Sequence, residues 1–508
     1  MTIDLLRRVA GHPLDRMSIG LLRRETLGSI LDRLAEIHGD QVLSIEPERG
    51  RELTYRQAAE LVARWSDAIG AAVAPGDRVV IGTPNGYDQF LLCLAAARAG
   101  AVPVPVNDQM HDNEIAHVIS DASADLVIRS VEDLSPVAPI LRPARAEVGD
   151  LAALFYTSGT TGSPKGVALS HRSLVGQLGS GALLPPILPL GEAIVALPVA
   201  HIMGFVTYLG LAVAGISAVS LPRFRAAEVL DLIESRRSTI FIGVPAMYRK
   251  LIEAGAEGRD LSSVRVWMSG ADAMPPDLAL RFKSMGSLGR LPLIGAIGEA
   301  AFVEGYGMVE VGGGVAVKVS PPGVSFGAGE SLGFRLPGYH FRVVDESGRD
   351  VRVGATGELW LKGPGVLQGY WNAPDATAEV LTPDGWLRTG DLVRSGPFGT
   401  VLFQGRRKQV IKSGGYSVYP REVESVLETH PDVLEAVVVG LRDDALGEVP
   451  AAAVRLRPGA TSKAHTLVAW SADRLAHYKA PRVVKVVDTL PRTGTDKVQH
   501  DRVREMFD

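Results

Sequence analysis

A layered α/β fold is what this chain predicts: a large N-terminal domain of α/β sheets, a small β-subdomain, and a small α+β C-terminal domain. Three observations lead there. Strand-like apolar runs alternate with helical ones through the first three hundred or so residues, the pattern of largely parallel sheets covered by helices. Beyond residue 320 the texture changes to glycine, proline and short β-rich pieces. From Arg406 onward, alternation of strand and helix returns in a compact tail.

The elements follow in order. Arg78-Val-Val-Ile-Gly predicts a strand, residues 87–99 a helix, and Val102-Pro-Val-Pro-Val a further strand. Residues 113–123 read as helix and 124–129 as strand. The stretch 193–221 carries no formal charge over 29 residues, long enough to raise a membrane span. Pro198, His201, Gly204, Gly210 and Gly215 interrupt it, so it predicts a strand (193–197), a loop, a buried helix and a second strand (217–221). Helix 228–236, strand 239–243 and helix 245–254 come next. Phe341-Arg-Val-Val and Gly357-Glu-Leu-Trp-Leu carry the small β-subdomain, and 436–440, 451–455 and 483–487 the strands of the tail. No internal repeat or low-complexity tract is visible.

At 508 residues the chain exceeds one ordinary domain and predicts a large body with a smaller one. Its 46% apolar and 22% charged residues describe a globular protein with a substantial core. A net charge of −4 gives no reason to expect nucleic acid or an acidic membrane as partner. Cys93 is the only cysteine and lies in an apolar run, which predicts a core thiol rather than a nucleophile. Asp4, Arg7 and Arg8 interrupt the first apolar residues, so no signal peptide is read and a cytoplasmic location is expected.

The most informative segment is Tyr156-Thr-Ser-Gly-Thr-Thr-Gly-Ser-Pro-Lys165-Gly-Val167. Three glycines, five Ser/Thr hydroxyls and one lysine within twelve positions suit a loop that wraps a polyphosphate. Glycine lets backbone N–H groups approach the oxygens, hydroxyls add donors and the ammonium offsets negative charge. By composition alone a surface linker fits as well. A Walker A motif does not, because Pro164 precedes Lys165 and Gly166 stands where Ser or Thr is required.

Further signposts occur in order: Gly243-Val-Pro-Ala-Met-Tyr248, Ser269-Gly-Ala271, Glu304-Gly-Tyr-Gly-Met-Val-Glu310, Gly357-Glu358, Leu387-Arg-Thr-Gly-Asp391, Gly405-Arg-Arg-Lys408 and Pro491-Arg-Thr-Gly-Thr-Asp-Lys497. Together with the loop they make the chain resemble, over nearly its whole length, the adenylate-forming superfamily of acyl- and aryl-CoA ligases, adenylation domains and luciferases. The resemblance implies an N-terminal adenylation domain over 1–405 and a mobile C-terminal lid domain over 406–508, with the hinge at Lys408. It implies ATP, Mg²⁺ and coenzyme A as cofactor and co-substrates.

The same resemblance implies roles. Thr157, Ser158, Gly159, Thr160, Thr161 and Lys165 would hold phosphates, and Gly270, Ala271, Glu304, Gly305, Tyr306, Gly307 and Met308 the rest of the nucleotide. Glu310 would bind Mg²⁺, a hard cation that is commonly shared between one or two carboxylates and substrate phosphates. Asp391 would accept both ribose hydroxyls, with Arg406 adding a ribose or phosphate contact. Lys497 would stabilise the adenylation transition state. Gly414, Gly415 and Tyr416 would form the loop beside the coenzyme A tunnel. His201, Phe205, Val244, Met268, Val311 and Gly312 would line the acid pocket, His201 for shape and gating. No aspartate follows His201, which disfavours an α-amino acid and predicts an apolar or aromatic monocarboxylate. The chain departs from the family at Val309, commonly threonine, and at Asp496, commonly glycine. An amide synthetase passing the acyl group to an amine, and a non-catalytic ligand-binding relative, stand as alternatives.

Overall fold

The computed structural model describes residues 24–134, 142–157, 164–176, 191–291, 295–324, 331–492 and 498–507. Ser158, Gly159, Thr160, Thr161 and Lys497 lie outside the described residues. Two compact units divide the chain. One comprises 1–328, 333–340 and 362–387, the other 329–332, 341–361 and 388–508. The short β-rich segments after residue 340 therefore group largely with the C-terminal residues, whereas the sequence places them in a body ending at 405.

The larger unit is built on a nine-stranded sheet. Its order is Phe334–Arg335, Gly313–Ser320, Ala301–Met308, Val266–Gly270, Ile240–Gly243, Glu192–Val195, Ser217–Ser220, Val42–Glu46, Arg51–Thr54. The six strands from Ala301–Met308 to Val42–Glu46 run parallel, and the others pair antiparallel at the edges. Parallel strands covered by helices on both faces should be apolar throughout. Ile240-Phe-Ile-Gly243 is buried at every position, as the run of apolar residues in the sequence predicts. The uncharged stretch resolves into Glu192–Val195, the helix Ile202–Ala214 and Ser217–Ser220. Gly215 in the left-handed region (φ 71°) closes that helix. Among the described residues no helix is long and apolar enough to cross a membrane.

Leu126–Ile128, Arg78–Ile81 and Val102–Pro105 form a parallel three-stranded sheet. Beside it lies an antiparallel one of Leu151–Thr157, Lys165–Ser170 and Gly369–Tyr370. Val80, Val104, Val118, Leu154 and Ala168 make a shared core, with Tyr156 and Trp371 packed against it. The helix Tyr87–Arg98 is buried along its whole length, and Cys93 within it is inaccessible, its thiol pushed far up by burial.

His171 opens the short helix His171–Leu174, and the Leu27 N–H donates to its Nδ1 at 3.0 Å. Burial pushes the ring down to about 4 against the opposing charge of Asp150. Between that value and the ordinary 6.5 the unfolded chain binds more protons than the folded one, so stability is present above this window and lost as pH falls through it. We expect the wild type to lose about 3 kcal/mol more unfolding free energy than His171→Gln between roughly pH 7 and pH 4. Parallel urea titrations at both pH values measure this; equal losses would refute it.

In the smaller unit, His340–Val344, Thr356–Lys362, Leu387–Ser395 and Val401–Arg406 form a four-stranded sheet, although His340, Lys362 and Leu387 themselves group with the larger unit. A second sheet orders Tyr416–Val418, Ile411–Ser413, Gly447–Leu456 and Val433–Asp443, with Val483–Val486 parallel to Gly447–Leu456. The helices Pro420–Glu428 and Ala464–Ala472 supply Val423, Leu427 and Leu467 to its core.

Candidate active site

In the larger unit several of the described candidates lie at or just beyond the carboxyl ends of neighbouring strands of the main sheet. Ala301–Met308, Val266–Gly270, Ile240–Gly243 and Glu192–Val195 are adjacent and parallel. Open α/β sheets place ligands outside the carboxyl ends of their strands, where the chain leaves the ladder and its polar groups become available. Tyr306, Gly307 and Met308 end the first of these strands, and Glu310 sits in the turn Val309–Val311 that follows. Gly270 ends the second, in register with Gly305, and Ala271 comes next. Val244 succeeds the third, and the loop to His201 succeeds the fourth. Motifs scattered over more than a hundred positions thus share one rim.

Local chemistry explains several placements. Ala271 has φ 66°, a left-handed conformation that costs a Cβ-bearing residue about 1–2 kcal/mol. Held strain of this kind clusters at functional sites. Gly307 lies where the strand passes closest to Gly313 and Gly314, and leaves no room for a side chain. Glu304 is committed to Lys318 across the antiparallel pair, Nζ to Oε2 2.5 Å. Burial nevertheless raises its carboxyl above the usual range, with Lys318 opposing.

His201 caps the helix Ile202–Ala214: the Met203 N–H donates to its Nδ1 at 3.2 Å. A neutral ring accepting there carries its proton on Nε2. Met203 lies against Gly270, where an added Cβ would stand 3.3 Å from its methyl, and Val206 lies equally close to Gly313. Phe205 is fully buried, edge-on to Phe90 and Phe155 at 5.4 and 5.2 Å, and packs the core behind that helix. Val244 and Val311 are buried as well, and Met268 is half-buried.

Thr157 and Lys165 terminate facing strands and are register partners at the base of the Gly/Ser/Thr loop. The base is braced from outside. His117 Nε2 meets the Pro164 carbonyl at 3.0 Å, and the Tyr156 hydroxyl donates to Asp121 at 2.6 Å. Tyr370 makes the connection that sequence reasoning missed. Its hydroxyl donates to Glu310 Oε1 at 2.9 Å, and Lys165 Nζ stands 5.5 Å from the centre of its ring.

Glu310 has the chemistry of a magnesium ligand. No group of three His, Cys, Asp or Glu residues gathers anywhere among the described residues, so none of them forms an all-protein cage. One half-exposed carboxylate, with an oxygen left over from the tyrosine contact, suits an ion carried mainly by phosphates and water.

The smaller unit holds the remaining candidates. Asp391 is buried and faces Arg406 across Leu387–Ser395 and Val401–Arg406, with Arg406 Nε 3.0 Å from its Oδ1. Its backbone N–H donates to Thr389 Oγ1 at 3.0 Å, and the Gly390 N–H to Glu358 at 3.0 Å. Lys408 is exposed in the turn Arg407–Gln409. Gly414 (φ 55°) and Gly415 (φ 83°) form the two-residue turn between Ile411–Ser413 and Tyr416–Val418. Positive φ at both centres is the hairpin turn that only glycine and a few polar residues adopt readily. Tyr416 stacks on Tyr478 with ring centres 4.4 Å apart.

The main sheet thus carries Tyr306, Glu310, Gly270 and Val244 at or just past the carboxyl ends of its parallel strands, and Lys165 begins a strand of the neighbouring sheet, the arrangement an adenylate-forming enzyme needs. The chain belongs to the AMP-binding enzyme family, which matches residues 31–371, and the AMP-binding enzyme C-terminal domain matches 422–497. It is an ATP-dependent, AMP-forming acid–CoA ligase. It is 35% identical over 485 residues to a feruloyl-CoA synthase from Amycolatopsis sp, covering 90% of this chain and 94% of that one. The structure of o-succinylbenzoate coenzyme A synthetase from Bacillus subtilis with ATP and magnesium ion superposes with a TM-score of 0.81 at 26% identity, covering 95% of this chain and all of that one. A point mutant of the amide bond synthetase Mcba from Marinactinospora thermotolerans superposes equally well at 26% identity, with the same coverage.

Proposed function

We propose that the protein activates an apolar or aromatic monocarboxylic acid as its acyl-adenylate and passes the acyl group to coenzyme A. The observation that carries the choice of acid is the uncharged character of the segment after His201. Met203 against Gly270 and Val206 against Gly313 contribute a thioether and a methyl-bearing wall beside the nucleotide rim. An ammonium group there would meet no carboxylate from residues 202–206. The feruloyl-CoA synthase relative, by name an enzyme of an aromatic acid, supports the reading.

The acid's carboxylate attacks the α-phosphorus of ATP, one P–O bond forms and one breaks, and pyrophosphate leaves. Lys165 meets the phosphates, and the Tyr306 segment and strained Ala271 frame the nucleotide. Glu310 is the residue to hold Mg²⁺, which supplies charge neutralisation on the phosphates. Asp391 accepts from the ribose hydroxyls, with Arg406 beside it, and Lys497 stabilises the charge that grows at the α-phosphate. The thiol of coenzyme A then attacks the acyl carbonyl and AMP leaves. Between these steps the C-terminal domain turns about residues 405–408, exchanging Lys497 for the Gly414-Gly415 loop.

The amide bond synthetase neighbour keeps a second acceptor in view. Mass spectrometry of reactions containing ATP, Mg²⁺, a panel of aryl and fatty acids, coenzyme A and a simple amine decides between them. Thioester with AMP and pyrophosphate is expected, with aryl acids preferred. Amide without enzyme-dependent thioester would overturn the acceptor and keep the adenylation chemistry.

A further inference from the structure

We propose that Tyr370 is a positioning residue that holds the metal-binding carboxylate and the phosphate-loop lysine apart yet side by side. The proposal rests on the adenylation reading of Lys165 and Glu310. A lysine and a glutamate both aimed at one triphosphate face a difficulty: paired with each other, they would offer the ligand a neutral pair and make it break an ion pair to enter. Among the described residues neither Lys165 nor Glu310 joins an ion pair. Tyr370 stands between their roles instead.

Its phenol, a neutral donor, gives a hydrogen bond to Glu310 Oε1 at 2.9 Å that orients the carboxylate without pairing it with a cation. Its ring face carries the Lys165 ammonium at 5.5 Å, an attraction that uses no N–H donor of the lysine. The backbone fixes this geometry from both sides. Tyr370 is the register partner of Val167, in the strand that begins at Lys165. The Trp371 N–H donates to the Gly166 carbonyl at 2.7 Å, and the Leu367 N–H to the Glu310 carbonyl at 2.8 Å. Residues 367–371 thus staple the turn of Glu310 to the strand of Lys165, with the tyrosine side chain at the join. Partners behind a metal ligand set its orientation, and losing one typically costs about ten- to a hundredfold in metal affinity.

The test uses the full chain with Tyr370→Phe and Tyr370→Leu. Mn²⁺ binding is read by electron paramagnetic resonance in the presence of α,β-methylene ATP, a signal independent of turnover. The phenylalanine variant should bind Mn²⁺ about tenfold more weakly, raise the Mg²⁺ concentration for half-maximal pyrophosphate exchange by the same factor, and keep the KM for the acid. The leucine variant should in addition raise the KM for ATP, because it removes the ring under Lys165. Unchanged Mn²⁺ affinity and Mg²⁺ dependence in a folded Tyr370→Phe protein would overturn the proposal; should Tyr370→Leu fail to fold, the phenylalanine variant decides alone. Absence of acid-dependent exchange in the wild type would instead defeat the adenylation reading, and the Mn²⁺ measurement would still decide the role of Tyr370.

Discussion

Lys497→Ala should slow acyl-adenylate formation by about 10²–10³-fold while leaving thioester formation from supplied acyl-adenylate close to wild type. The reason is where charge grows. As carboxylate attacks and pyrophosphate leaves, negative charge builds on the oxygens around the α-phosphorus, and a fixed ammonium there stabilises the transition state more than bound ATP. On the proposed mechanism the second step expels AMP with the C-terminal domain turned, and the lysine would have no part in it.

The residues on either side of the segment that carries Lys497 are well anchored. Arg492 and Val498 pair as an antiparallel bridge, and the Gln499 N–H donates to the Pro491 carbonyl at 2.9 Å. Arg492 in turn reaches the buried Glu435 at 2.5 Å, which Arg455 approaches at 3.5 Å. A buried carboxylate between two guanidiniums ties the stem to the strand Val433–Asp443. Pyrophosphate exchange and single-turnover thioester formation are the two measurements. Equal loss in both would mean that the substitution damages the domain, and no loss of exchange would remove Lys497 from catalysis.

Gly307→Ala should destabilise the larger unit by about 3 kcal/mol or more, at or beyond the upper end of the usual cost of overpacking. The added Cβ would stand 1.9 Å from the Gly313 carbonyl oxygen and 2.6 Å from its carbon. The obstacle is backbone, so no rotamer change relieves it. Separating the strands would break the ladder at Met308 and Gly313 and shift the turn that carries Glu310. The internal control is two residues away. At Gly305 the nearest atom to an added Cβ is the Ser269 carbonyl oxygen at 4.0 Å, ordinary contact, and Gly305→Ala should fold normally. Urea unfolding of both variants, with nucleotide binding to the folded fraction, checks the pair. A Gly307→Ala protein as stable as wild type would mean that the two strands can part at little cost.

Much of the fold was legible because it depends on period and composition. The helix expected over 87–99 is Tyr87–Arg98, and the strand expected over 239–243 is Ile240–Gly243. Both are buried runs whose ends are marked by glycine or by a turn. The division of the smaller β-sheet was not legible. Nothing in the glycine- and proline-rich texture of 341–361 tells which neighbour it packs with, and it groups with the C-terminal residues. The candidate site shows the same split. Lys165, Glu310, Asp391 and Arg406 stand in recognisable local motifs, and the cross-strand pairing of the last two follows from adjacent strands that hold them in register. His117, Glu435 and Tyr370 carry no such mark, since each acts on a partner 47, 57 and 60 positions away.

The sequence by itself determined the layered α/β class, the glycine- and hydroxyl-rich loop before Lys165, the segment after His201 without an aspartate and the family of the enzyme. These are properties of residue type and short spacing, which chain neighbours alone define. Tertiary structure decided which side chains stand behind the motifs: that Glu304 is bound to Lys318, that Phe205 packs the core, and that Tyr370 joins Glu310 to Lys165. Such contacts arise from sheet order and register, which bring distant segments within hydrogen-bonding reach and leave no periodic trace in the chain.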